Sequence, residues 1–308
     1  MTGRIADPDA GRAAPDQEFL LPVPEFDLPG TLDGGQAFRW HREGDGYRGV
    51  IGRSVLHVST QVAGQVRVRV LAGENTSPKI LTSYLGLDFD LDAFQKRHVD
   101  DPGLAPALAS YAGLRVLRQD PWECLCGFIC SATSSIPRIK MDMQSVARAF
   151  GDRLGPGSDD VAFPGPHAIA AAGEAALREL GLGFRARYVM AAAEAIGSGV
   201  LDLTLLSEMP YAMAKGALVT LKGVGPKIAD CVLAFSLSKG EAFPVDRWVR
   251  RAMEEWYGAS EKMTNDEIGR MARERFGEDA AYANQYLFHR QRLAARASMP
   301  RGRIGNRP

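Results

Sequence analysis

The chain has 308 residues, 45% hydrophobic and 24% charged, a globular composition long enough for more than one cored domain and unlike a disordered or collagen-like chain. Lys plus Arg total 37 and Asp plus Glu total 37, so any anion-binding surface must come from uneven placement of charge, not from net charge. Four cysteines are too few for a disulfide scaffold, and no run of about 18 apolar residues exists, so no membrane span is expected.

The first residues, MTGRIADPDAGRAAPDQ, are polar and carry no apolar signal core. A loose arm is expected over residues 1–18. Cys124, Cys126 and Cys130 crowd into one apolar segment, which suits buried thiols in a reducing compartment. The expected location is cytoplasmic, with the nucleoid or in a nucleus, and not secreted.

Residues 19–117 read mainly as strands. The segments Gln36–Trp40, Tyr47–Ile51, Ser54–Val58 and Gln65–Val70 alternate apolar and polar side chains, with Val66, Val68 and Val70 on one face. Glycines 34, 35, 44, 46, 52 and 64 punctuate them as turns. The pattern predicts an antiparallel sheet with one buried face, followed by helices over 91–98 and 104–114. From residue 118 the spacing turns helical, predicting helices over 122–131, 140–150, 167–179, 185–198, 211–220, 227–238, 246–257, 265–276 and 280–293. The fold class is therefore α+β: an N-terminal antiparallel sheet domain (19–117), then a mainly helical domain (118–290). A basic tail (291–308) follows. Arg290, Arg292, Arg296, Arg301, Arg303 and Arg307 with no acid from His289 onward fit either a solvated tail or phosphate contact.

The stretch that carries chemistry is LKGVGPK, residues 221–227, between two helical patterns. Gly223 and Gly225 permit a tight hairpin with outward main-chain amides, and Pro226 suits the first turn of the next helix. A helix N-terminus with free amides binds anions, so helix, hairpin and helix can clamp a phosphate without net positive charge. A plain helix–helix turn needs fewer of these residues. Lys227 at this position fits a phosphate contact or a nucleophile. Asp246, after Pro244-Val245 and before a helical run, is a good N-cap. Cys231 shares the helix face of Lys227 and by type is a small buried apolar residue.

LKGVGPKIADC followed by FPVD, with GGQAFRW (34–40), DPWECLCGFICSATSSIPRI (120–139), LGLGFRARYV (180–189) and NQYLF (284–288), resembles the helix-hairpin-helix DNA glycosylase superfamily, and within it the 8-oxoguanine DNA glycosylases. The motifs fall in the family's order and span roughly residues 19 to 290. The resemblance implies a helix-hairpin-helix glycosylase domain behind the sheet domain. It also implies excision of 8-oxoguanine from damaged double-stranded DNA, with lyase activity at the abasic site, by a chain expected to be monomeric. Lys227 is then the nucleophile, forming a Schiff base with the opened sugar, and must lose its proton to attack. Asp246 is the essential aspartate that stabilises the oxocarbenium charge. Gly35 offers a backbone carbonyl to the N7–H of 8-oxoguanine. Cys231 lines the pocket, where a thiolate beside the Lys227 ammonium would form a dipole. Phe288 stacks on the flipped base, and Asn284 or Gln285 reads its Watson–Crick edge.

Amides at Gly223, Gly225 and Ile228 would hold a phosphate. Carbonyls near Val219, Leu221 and Val224 would hold a monovalent cation. No other cofactor is required. The iron–sulfur branch, with four cysteines near the C-terminus, is disfavoured because Cys231 is the last cysteine. The alkylated-base branch lacks the lysine. A non-catalytic helix-hairpin-helix DNA-binding module would not need Lys227 and Asp246 together. Arg138 and Arg185 match arginines that contact the orphaned base, and Phe184 matches a wedge that is often tyrosine. Thr133 stands in place of the family's asparagine, and Trp248 in place of a phosphate-binding histidine. Cytosine preference is therefore expected to be weaker than in the strictest members.

Overall fold

The computed structural model describes residues 17–60, 64–155 and 159–297. Strand β1 (Glu18–Pro22) and a short helix α1 (Leu28–Leu32) precede β2 (His41–Glu43), β3 (Gly46–Ile51), β4 (Ser54–Ser59) and β5 (Gln65–Gly73). The strands form one antiparallel sheet in the order β1-β5-β4-β3-β2. Its central register pairs Val58 with Tyr47 on one side and with Val68 on the other. The expected arm lies outside the described residues as far as residue 16. Its last residue, Glu18, belongs to β1 and faces Arg69 of β5.

Val66, Val68 and Val70 are buried as their alternation predicts. They join Leu21, Leu32, Trp40 and Leu56 in the core under one face of the sheet. The opposite face is also covered over β3 and β4, where Val50 and Val55 pack against Leu154 and Ala162, so β4 is buried along its whole length. A single buried face was the simpler expectation. The second cover comes from a loop about a hundred residues away, which strand periodicity cannot register.

Gln36–Trp40 is not a strand. Gln36 is fully buried. Its Nε2 donates to the carbonyls of Thr31 and Arg115, and its Oε1 accepts from the amide of Leu117. Trp40 turns inward and donates to the Tyr84 hydroxyl at 3.0 Å. An alternation in which the polar member is itself a core tie has no solvent side, so it cannot form a sheet edge.

The helices are α2 (Pro78–Tyr84), α3 (Leu91–Arg97), α4 (Leu104–Ser110), α5 (Pro121–Cys130), α6 (Ile136–Phe150), α7 (Pro166–Leu177), α8 (Ala186–Gly197), α9 (Leu203–Glu208), α10 (Tyr211–Leu218), α11 (Pro226–Phe235), α12 (Arg247–Tyr257), α13 (Asn265–Phe276) and α14 (Ala280–Ala297). Helices α3 and α4 precede residue 117 yet place Leu91, Phe94, Leu104 and Leu108 in the helical core. α14 continues beyond residue 290 to Ala297. Gln291 there is buried and donates to Glu255 of α12, and the Arg290 guanidinium lies 3.9 Å from the Trp256 ring centroid. The expected basic tail is thus helical at its start, because these turns pack on α12. Residues 298–308, with Arg301, Arg303 and Arg307, lie outside the described residues.

Helix α11 is buried from Ile228 to Phe235. Its one buried carboxylate, Asp230, accepts from Lys215 Nζ and Tyr211 Oη of α10, each at 2.8 Å. This buried pair fixes the two helices of the hairpin to each other, and removing one partner would leave a buried charge. No helix among the described residues is long and apolar enough to cross a membrane.

Candidate active site

A cleft of about 1110 Å³ opens between α5, α11, the start of α12 and α14. Gly35, Lys227, Cys231, Asp246, Asn284, Gln285 and Phe288 all line it, together with Thr133, Gly225, Ile228 and Trp248. Residues up to about 250 positions apart in sequence thus meet in one place.

Lys227 stands on the first turn of α11, half-buried. Its Nζ donates to Ser131 Oγ at 3.2 Å and lies 5.2 Å from the centroid of the Phe128 ring. Ser131 Oγ itself donates to the Phe128 carbonyl at 2.7 Å, which leaves a lone pair for the lysine. Neither partner was singled out from the sequence. Ser131 lies in the CSATSS string, but nothing local in that string indicates a partner on α11.

Asp246 is the N-cap of α12, as its placement predicts. Oδ1 accepts the amides of Trp248 and Val249, each at 2.8 Å. One oxygen therefore satisfies the helix start while the same carboxylate faces the cleft. Cys231 is buried. Burial pushes its thiol up to about 12, against the pull of the Lys227 ammonium and with the Asp246 carboxylate adding to the rise. The protein alone therefore favours a thiol beside Lys227, in contrast to the thiolate–ammonium dipole that the resemblance implies, because desolvation outweighs the single nearby cation.

Gly35 has φ +101°, and a Cβ there would lie 2.6 Å from Ile136 Cδ1 and 3.5 Å from Phe288 Cε1. Only glycine sits in that conformation against both side chains without strain. Phe288 is half-buried and carries the Arg292 guanidinium 5.4 Å from its ring centroid. Asn284 and Gln285 differ in what they hold. Asn284 Nδ2 donates to the Pro244 carbonyl at 2.9 Å, whereas Gln285 Nε2 is buried with no partner in the protein.

The hairpin lies between α10 and α11. Gly223 has φ +86° and rests on the face of the Tyr188 ring, where a Cβ would come within 2.3 Å of Cγ. Gly225 is the N-cap of α11. The first α11 amide to bond back is that of Ala229, to the Gly225 carbonyl, which leaves the Ile228 amide among the unpaired donors of the first turn. The Val224 amide closes the turn on the Leu221 carbonyl at 3.0 Å. Val219 is exposed, and Leu221 and Val224 are buried.

Thr133, between α5 and α6, has φ +51°, a rare conformation for a β-branched residue. Arg185 holds this turn, donating Nε to the Ala132 carbonyl at 2.8 Å and Nη2 to the Thr133 carbonyl at 2.9 Å. Its guanidinium stacks 4.8 Å from the centroid of the exposed Phe184 ring. Arg138 pairs with Asp142 at 2.8 Å and donates to the Gly181 carbonyl. Both arginines are thus bonded within the protein and would exchange these bonds to reach a base. Arg247 lies 4.5 Å from the Trp248 ring centroid, so the aromatic brings a cation with it. Among the described residues no group of His, Cys, Asp and Glu side chains could hold a metal ion.

Residues 18–125 match the 8-oxoguanine DNA glycosylase N-terminal domain, and residues 126–278 match the HhH-GPD superfamily base excision DNA repair protein. A probable N-glycosylase/DNA lyase of Methanothermobacter thermautotrophicus is 30% identical over 88% of this chain and 95% of its own. The N-glycosylase/DNA lyase OGG1 of Arabidopsis thaliana is 34% identical over 86% of this chain and 77% of its own. The Clostridium acetobutylicum 8-oxoguanine glycosylase/lyase, solved with double-stranded DNA containing cytosine opposite 8-oxoguanine, superposes with a TM-score of 0.84 at 32% identity, covering 92% of this chain and 99% of that one. A 3-methyladenine DNA glycosylase from Archaeoglobus fulgidus shares the fold, with a TM-score of 0.72 at 23% identity. With both halves matched and curated relatives of 30% identity or more covered over most of their length, the chain belongs to the 8-oxoguanine DNA glycosylase/lyase family of the helix-hairpin-helix superfamily.

Proposed function

We infer that this protein excises 8-oxoguanine from double-stranded DNA and then cleaves the abasic site as a lyase. The observation that carries the reading is the meeting of Lys227 and Asp246 in one cleft, with the lysine amine fixed by Ser131 at 3.2 Å. A base inside a duplex cannot reach such a cleft, so the nucleotide must be flipped out of the stack. Lys227, deprotonated, attacks C1′ as the bond from C1′ to the base nitrogen breaks, and the departing base takes up a proton. Asp246 faces the positive charge that develops on the sugar ring. The covalent product opens to a Schiff base. Loss of a C2′ proton then expels the 3′ phosphate by β-elimination, and water releases Lys227.

Gly35, Cys231 and Phe288 are the walls for the flipped base. Gly35 offers a carbonyl to N7–H, which guanine lacks. The amides of Gly223, Gly225 and Ile228 are the phosphate clamp, supplemented by the helix dipole. A main-chain clamp accounts for DNA binding by a chain with equal numbers of acidic and basic residues. Around the turn, Val219, Leu221 and Val224 offer backbone carbonyls, hard neutral donors that suit a monovalent cation, and the Leu221 carbonyl keeps a second lone pair beside the one that accepts Val224 N–H. Such a cation would stiffen the hairpin. Thr133, Phe184, Arg138 and Arg185 are the groups for the gap and the orphaned base, with Trp248 at the rim. The chain is taken to act as a monomer.

The test is single-turnover excision from duplexes that carry 8-oxoguanine, guanine or 3-methyladenine. Release of 8-oxoguanine with strand cleavage is expected. Preferential release of 3-methyladenine, or no release by folded protein, would move the chain to another activity.

A further inference from the structure

Asp142, one helical turn after Arg138 on α6, is a carboxylate only 1% exposed and has no role in the reaction as described above. Arg138 Nε meets its Oδ1 at 2.8 Å, while Oδ2 is buried with no partner in the protein. The Arg138 side chain is 43% exposed, so the arginine is the solvent-facing half of the pair. It also donates to the Gly181 carbonyl and packs on that glycine, where an added Cβ would lie 2.7 Å from Nη2. Arg138 stands on the first turn of α6, next to the Thr133 turn at the gap. Asp142 lies about 6 Å further along the helix axis, so the ion pair draws the guanidinium away from the gap.

Swinging Arg138 to the orphaned base separates this pair. Asp142 would then be a buried charge without its partner, which is strongly unfavourable. Among the described residues, the other ionisable groups that bear on Asp142 are Arg185, at the head of α8, and the Cys130 thiol of α5. Arg185 does not replace Arg138, since its Nε and Nη2 hold the carbonyls of Ala132 and Thr133. Cys130, pushed up to about 12 by burial, offers no cation. A proton on Asp142 is the remaining way to cancel the charge. Burial already holds the Asp142 carboxyl above its ordinary value, against the pull of Arg138 and Arg185, and departure of Arg138 raises it further.

We propose that Asp142 is a positioning residue that holds Arg138 back from the orphaned base, so that the reading of cytosine strengthens when the charge on Asp142 is removed. The proposal rests on the excision of 8-oxoguanine and the place of Arg138 at the orphaned base inferred above. A carboxylate that aimed Arg138 at the base would act in the opposite sense, and its removal would weaken the preference for cytosine.

The experiment measures single-turnover excision of 8-oxoguanine opposite cytosine and opposite adenine between pH 8 and pH 5.5. It uses the native chain, Asp142→Asn, Arg138→Ala and the double variant. At pH 8, Asp142→Asn, uncharged and nearly the same shape, raises the cytosine-to-adenine ratio by about fivefold or more, since a charge-assisted bond no longer has to be given up. The native ratio rises as pH falls, because a protonated Asp142 releases Arg138. The Asp142→Asn ratio stays within about twofold over the same range. The double variant has the ratio of Arg138→Ala, because the gain acts through the arginine. Asp142→Leu carries the test if the asparagine variant does not fold. A ratio that is unchanged or smaller in Asp142→Asn overturns the proposal. So does a native ratio that stays flat down to pH 5.5, or a gain that persists in the double variant. If the native chain releases 8-oxoguanine from neither duplex, the excision activity itself fails and the proposal falls with it. That result differs from active protein with an unmoved ratio.

Discussion

The two glycines of the hairpin predict opposite responses to the same substitution. At Gly223 the backbone is left-handed, φ +86°, and an added Cβ would lie 2.3, 2.4 and 2.8 Å from Cγ, Cδ1 and Cδ2 of Tyr188. Cγ is the root of the ring, so the ring cannot swing aside without moving α8. Tyr188 is also held by Arg187, which donates to its hydroxyl at 2.7 Å, and by the edge of Phe184. Left-handed strain of about 1 kcal/mol and overpacking of about 1–3 kcal/mol together give about 2–4 kcal/mol for Gly223→Ala. For a chain of this size that is a fall in Tm of about 3–6 °C. At Gly225, φ is −91° and nothing lies within 4 Å of the added methyl. There the loss of unfolded-state entropy favours alanine while the N-cap position slightly disfavours it. Gly225→Ala should therefore stay within about 0.5 kcal/mol of the native chain. Urea unfolding of both variants, with thermal melts, reads the difference, and duplex affinity should fall with Gly223→Ala. Equal stability of the two variants, or Gly223→Ala within about 0.5 kcal/mol of native, would show that Tyr188 does not wall the hairpin.

Asp246→Asn keeps the acceptor that binds the Trp248 and Val249 amides. Stability should change by less than about 1 kcal/mol while single-turnover excision falls by about a hundredfold or more; near-normal excision would reduce the residue to a cap. Thr133→Asn relieves left-handed strain, because Asn tolerates that region better. It should raise stability by about 0.5–1 kcal/mol and widen the preference for cytosine, which in the native chain should stay below about a thousandfold, or about 4 kcal/mol; excision from the four opposite-base duplexes reads both. His289 is 6% exposed, and burial, with Arg292 adding to it, pulls its imidazole down from 6.5 to about 4. Since the folded pKa lies below the unfolded one, stability is full above about pH 6.5 and declines as pH falls toward 4, by about 3 kcal/mol in all. Urea unfolding at pH 7, 5.5 and 4.5 should show this slope flattened in His289→Gln, and an unchanged slope would place the proton uptake elsewhere.

The hairpin was legible because all its signals are local. Leu221, the two glycines, Pro226 and the apolar run after Lys227 follow each other in the order the geometry needs, and the helices on either side form as expected. Asp246 likewise announced a helix start and is one. The strands β3, β4 and β5 followed from alternation. Short elements did not. Helix α9 has six residues and is held by the Asp202 cap, too few for a helical period to appear. Gln36 failed for a different reason, since a polar side chain spent on three buried backbone partners reads as a solvent-facing position until its tertiary neighbours are known. The same holds for the choice between Asn284 and Gln285, which turns on the Pro244 carbonyl 40 residues away, and for Ser131, which meets Lys227 across 96 residues.

The central claim is that Lys227 is the nucleophile of an excision and strand-cleavage reaction. Sodium borohydride trapping on a duplex with 8-oxoguanine opposite cytosine tests it directly, because reduction of the Schiff base leaves protein and DNA covalently joined. Native protein should give the adduct. Lys227→Gln, which keeps the hairpin amides, should give none while duplex affinity stays within about tenfold. An adduct formed by Lys227→Gln would identify a different amine as the nucleophile and contradict the account.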